Sequence, residues 1–142
     1  MRLDVADGII DAALKQADTL GLAPLAVVVL DAGGHLVSAR RQDGAGLLRM
    51  DIAYAKAWGS LGMGFGSRAL AQRAVQAPQF FAALNAVSGG RMAPSPGGVL
   101  VLQGDRLLGA VGVSGDLGDQ DEACALAGVA AVSLTALPGE PG

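Results

Sequence analysis

Apolar side chains recur at three- and four-residue intervals from Leu3 to about Leu20, at Val5, Ile9, Ile10, Ala13, Leu14 and Ala17, with Asp11, Lys15 and Asp18 on the other side. This is the signature of an amphipathic helix, which Gly21 stops. The period then changes. Leu25 to Asp31 (LAVVVLD) is a β-branched run, too short for a helix and apolar enough to be buried on both faces, and it predicts a central strand. Ala32, Gly33 and Gly34 form a tight connection, and His35 to Arg41 returns in alternation, which makes a hairpin. A loop over Gln42–Gly46 precedes a second helix from Leu47 to about Gly62, marked by Leu48, Ile52, Ala55 and Trp58. Ser67 is positioned to cap a third helix ending near Ala77, and Phe80 to Val87 predicts one or two further turns. The composition of SGGRMAPSPGG is that of a loop. Val99–Gln103 and Leu107–Ser114 make a second hairpin, and an Ala-rich helix from about Gln120 to Leu134 closes the chain. From Pro138 onward, residues 138–142, a frayed tail is expected after a domain spanning 1–137.

The order helix, hairpin, helices, hairpin, helix predicts an α+β fold, an antiparallel sheet of about four or five strands with helices packed on it. Composition agrees with one packed core: 142 residues, 51% hydrophobic and 16% charged, with an aliphatic interior because only 4% of residues are aromatic. A net charge of −3 without any Lys/Arg-rich stretch argues against nucleic acid as a partner. No window matches a membrane span. The first ten residues alternate charged and apolar side chains where a signal peptide would be continuously apolar, so a cytoplasmic location is expected. The single cysteine, Cys124, has no partner for an intrachain disulfide.

Three blocks carry a resemblance. VVVLDAGGHLVSARRQDGA, IAYAKAW and PGGVLVLQGDRLLGAVGVSGDLGDQDEACALAG follow one another as in the GlcG/HbpS-like family, and together they span about Leu25 to Gly128. The most specific element is G-A-V-G-V-S-G followed by Q-D-E after a hairpin. The resemblance implies a compact profilin-like or PAS-like domain, usually assembled as a homo-oligomer. Relatives include haem-binding and haem-sensing proteins and a domain attached to corrinoid adenosyltransferases. What it implies for this chain is a small-molecule-binding domain, with haem or another planar, carboxylate-bearing compound as ligand. Two positions depart from the family's usual pattern: Gln42 stands where Met is common, and the K-A-x-T-A block reads Lys56, Ala57, Trp58, Gly59, Ser60.

A few polar residues lie between apolar runs and are candidates for ligand binding: Asp31, Arg40, Asp43, Lys56, Gly97, Gly98, Ser114 and Asp121. Lys56 is the most informative, because an ammonium among Ile52, Ala53, Ala55, Ala57 and Trp58 must find a partner or lose its proton. One reading aims it at a ligand carboxylate, with backbone N–H groups of the Pro-Gly-Gly loop completing an anion site. The other is a salt bridge from Lys56 to Asp31 or Asp43 that ties helix to hairpin. Asp31 beside two glycines suits a turn cap, and Asp121 with Glu122 suits the positive end of the last helix. Ser114 has no evident base and is not read as a nucleophile. His35, the only histidine, follows the glycine turn and is expected to face solvent, which leaves Met50, Met63, Met92, Tyr54 and Cys124 as formal axial ligands or, more simply, packing groups. From a different class comes a second reading, a small cofactor-free enzyme acting on an organic acid, with Lys56 as base or electrophile and Asp43 or Asp31 handling a proton. A third is an accessory or assembly protein without pocket chemistry.

Overall fold

In the computed structural model, which describes residues 1–141, a five-stranded antiparallel sheet runs in the order β2-β1-β4-β3-β5. The strands are β1 (Ala26–Asp31), β2 (Leu36–Arg41), β3 (Gly98–Gln103), β4 (Arg106–Ser114) and β5 (Thr135–Leu137). The helices are α1 (Leu3–Leu20), α2 (Arg49–Met63), α3 (Ser67–Gln76), α4 (Pro78–Val87) and α5 (Gly118–Ala131). β1 lies inside the sheet between β2 and β4, as its two apolar faces require, and its side chains go alternately into two cores. Val27 and Val29 join Val99, Val101, Val111 and Val113 beneath α1 and α5, which present Ile9, Ile10, Ala13, Cys124 and Val129. Val28 and Leu30 face the other way with Leu100 and Ala110, under Ala53 and Ala57 of α2. The period-two alternation of buried strands thus builds a three-layer sandwich from one sheet. None of the described helices is long and apolar enough to cross a membrane.

Two sequence expectations need correction. The last helix does not reach Leu134: it ends at Ala131, Ser133 turns the chain at a φ of 60°, and Thr135–Leu137 adds a fifth strand to the β3 edge. Ser67 is not a cap. It is the first residue of α3, and its hydroxyl accepts from the Gly98 N–H at 2.6 Å, pinning α3 to the start of β3. Residues 138–140 contact α3 and its N-terminal flank: the Gly66 and Arg68 N–H groups donate to the carbonyls of Gly139 and Pro138, and Arg73 pairs with Glu140.

Candidate functional site

Where β1 begins and β4 ends, the sheet carries a buried polar network. Ala26 pairs with Ser114 there, and Gly98 opens β3 beside Gly112. Lys56 comes from the sheet-facing side of α2 and is 3% exposed. Its ammonium donates to the Val113 carbonyl at 2.9 Å and to the Asp121 carboxylate at 3.1 Å. The other Asp121 oxygen accepts from the Asp116 N–H at 2.9 Å, so one carboxylate, itself fully buried, closes the Ser114–Leu117 turn and neutralises Lys56. Burial pushes the Asp121 carboxyl above its usual range and the Lys56 ammonium below its own, against their mutual attraction. Gly97 and Gly98 make room: a side-chain carbon at Gly97 would sit 2.8 Å from Nζ of Lys56, and one at Gly98 2.4 Å from its carbonyl oxygen.

The partner expected for Lys56 was Asp31 or Asp43, and both are elsewhere. Asp31 caps the β1–β2 turn, accepting from the N–H groups of Gly33 at 2.9 Å and His35 at 3.0 Å, and these bonds lower its pKa. Asp43 is exposed in the loop after β2, and Arg40 on that strand pairs with Asp11 of α1. Of the eight candidate residues, the fold therefore gathers Lys56, Gly97, Gly98, Ser114 and Asp121, and leaves out Asp31, Arg40 and Asp43. Sequence reading missed Arg49, the half-buried first residue of α2, which donates to Ser114 Oγ at 3.3 Å. It also missed Arg68, which ties α3 to Glu122 and Asp119 at the start of α5. Gln42, one of the two departures from the family pattern, accepts from the Leu25 N–H at 2.8 Å and so braces the entry to β1. Trp58, in the other, lies with its ring 4.0 Å under the Arg91 guanidinium.

Surface grooves lie away from this network. One, about 520 Å³, is lined by Asp18, Leu22, Pro24, Arg40, Arg41 and Asp43, and is open and mostly polar. A second, about 380 Å³, runs between α3 and α4. Met63, Ala77, Phe80 and Phe81 give it apolar walls, and Arg73 and Glu140 a charged end. Phe80 and Phe81 meet edge to face with centroids 6.0 Å apart. Arg73 stacks 4.2 Å over the Phe65 ring and donates to both Glu140 oxygens, Nε at 2.7 Å and Nη2 at 3.0 Å. Met63 is the one formal axial ligand of the sequence reading that lines either groove, and it is half-buried. Cys124 is fully buried, with its thiol pushed up to about 11 by desolvation and by Asp121 and Asp116, which makes it a packing group.

The family model described as haem degrading protein HbpS-like matches residues 1–130. Among solved structures, the PduOC:haem complex superposes with a TM-score of 0.85 at 25% identity, covering 95% of this chain and 96% of that one. The Klebsiella pneumoniae protein ORFY gives 0.85 at 28% identity, with 94% and 90% covered. A double mutant of Streptomyces reticuli HbpS gives 0.80 at 30% identity, with 92% and 85% covered. A search of curated protein sequences gives no match.

Proposed function

The chain belongs to the HbpS-like family, and from that premise we propose that it binds a planar, carboxylate-bearing compound of the haem type in the groove between α3 and α4. One observation carries this reading. α4 buries none of its ten residues, yet it places Phe80 and Phe81 side by side against Met63 and Arg73. Adjacent phenylalanines on a helix that contributes nothing to the core have no packing role to explain them, and exposed apolar groups gathered in a concavity are the ordinary mark of a binding surface. The groups present fit a tetrapyrrole: aromatic rings to contact the macrocycle by face or edge, a thioether within the groove, and a guanidinium at one end for a propionate. A groove of 380 Å³ would hold one face or edge of such a ligand without enclosing it. The other groove fits less well, because it lacks aromatic walls and is lined mostly by polar residues. The PduOC relative was crystallised with haem, which favours haem within the ligand class. When bound, haem would supply the iron and its chemistry; the chain's residues bind and orient it.

The enzyme reading built on Lys56 loses ground on geometry. Lys56 is closed in by Asp121 and Val113 and lines neither groove, while Asp31 caps a turn at the opposite end of β1 and Asp43 is exposed in the loop after β2. We extend the proposal to a homo-oligomer, which would cover the exposed valines of α3 and α4, Val75 and Val87.

Titration with hemin, followed by a saturable shift of the Soret band, tests the binding. Phe80→Ser should weaken it about three- to tenfold, the worth of one aromatic contact, with an unchanged melting temperature because α4 carries no core. Saturable binding with the same affinity in that variant would remove the groove from the reading.

A further inference from the structure

The charged end of the α3–α4 groove is already filled by the chain itself. Arg73 presents Nε and Nη2 as a fork, and Glu140 takes both donors with its two oxygens at 2.7 and 3.0 Å. That is the geometry in which a guanidinium receives any carboxylate, including that of a ligand. The approach of Glu140 is built into the backbone. After β5 the chain crosses the start of α3, where the Gly66 N–H donates to the Gly139 carbonyl at 3.0 Å and the Arg68 N–H to the Pro138 carbonyl at 3.3 Å. The crossing is possible because Gly66 has no side chain: a Cβ there would fall 1.9 Å from the Pro138 carbonyl carbon. The strap therefore delivers Glu140 to Arg73, whose plane is fixed by Phe65 beneath it. The pair is also weakly held. Both side chains are close to half exposed, 45% and 47%, and exposed ion pairs contribute little.

We infer that Glu140 is an internal competitor for the anion subsite of this groove: it holds Arg73 in the binding geometry and leaves when a ligand carboxylate takes its place. This rests on the groove reading given under Proposed function and adds to it a subsite, Arg73, and a gate, the Pro138–Glu140 strap. Competition makes a prediction that simple proximity does not. Removing the competing carboxylate should tighten a carboxylate ligand, whereas shortening it by one methylene should do the same while keeping its charge, since the shorter side chain no longer spans the fork.

The experiment is hemin titration of the full chain and of Glu140→Gln and Glu140→Asp, with thermal melts to show that all three are folded. Both variants should bind hemin two- to fivefold more tightly, the range an exposed ion pair can withhold. Tightening in Glu140→Gln alone would show long-range repulsion in place of occupancy and overturn the inference. Saturable binding that neither variant tightens would overturn it too, and would leave the groove reading standing. Absence of saturable binding in all three proteins would bring down both.

Discussion

Lys56 shows how far a single residue can be read. Its apolar helical neighbours, Ala53, Ala55 and Ala57, already require a buried cation with a partner. The partner could not be read, because Asp121 lies 65 positions away and only the folded sheet brings the two together. Asp121 looked like a dipole-complementing residue of α5 and turns out to neutralise Lys56 instead. Breaking such a pair from one side leaves an uncompensated buried charge, so Lys56→Met should cost about 3 kcal/mol or more in thermal or denaturant unfolding. The loss should depend on pH in a definite direction. Burial holds the Asp121 carboxyl above its unfolded value, and without Lys56 only the backbone N–H groups of Asp116 and Gly115 oppose that rise. A raised carboxyl contributes stability that is present below the unfolded pKa and lost as pH rises through the folded one. The variant should therefore be closer to the parent at about pH 4 than at pH 8; an equal deficit at both would show that Asp121 is not left stranded. His35 was legible in full, since a residue following two glycines belongs to a turn: its side chain is 79% exposed and reaches only Asp31. His35→Ala should accordingly leave the Soret spectrum of bound hemin unchanged, and a band returned to the free-hemin position would identify His35 as an iron ligand.

At the scale of elements, periodicity worked wherever an element buries one defined face and failed where another signal competed. α1, both hairpins and α2 are found within a few residues of their expected bounds, because the two helices repeat apolar positions at helical spacing and the buried strands are short apolar runs bounded by turn residues. β5 was invisible. It is three residues long, pairs with a single neighbour, and follows an Ala-rich stretch whose composition continues the helical pattern past its true end. Ser67 was misread for a related reason: a serine ahead of a helix suits a cap, but here a long-range acceptor, the hydroxyl binding Gly98, outweighs the local role. The same junction sets how closely α2 can lie on the sheet. Its Lys56 carbonyl and Ser60 hydroxyl stand 2.4 and 2.8 Å from where a Cβ at Gly98 would be, so Gly98→Ala must lift the helix or shift β3. Backbone does not yield as a side chain does, and the cost should be about 3 kcal/mol, at the upper end for overpacking. A melting temperature within a degree or two of the parent would mean that α2 is less firmly seated than its contacts imply.

Over the whole molecule, the two faces of the sheet are covered unequally, and that inequality bears on assembly. One face is sealed by α1 and α5. The other has α2 over its centre, while α3 and α4 continue outward from α2 and end in a helix with no buried residue. Val75 is 84% exposed and Val87 81%. A monomer gains nothing by presenting such residues to water, since each exposed aliphatic side chain forgoes about 1.5–3 kcal/mol of transfer free energy. A second copy of the chain would recover part of it, and a symmetric pairing of identical surfaces is the commonest way for a small domain to do so. Light scattering at micromolar protein and moderate salt should return a multiple of the 14.1 kDa chain mass. Introducing charge on the outer face, as Val75→Glu with Val87→Glu, should shift the mass toward one chain without lowering the monomer's intrinsic stability, because neither valine belongs to a core. A single-chain mass for the parent protein would remove the oligomer. A multiple that survives both substitutions would place the interface on another face and leave α4 free to serve the groove alone.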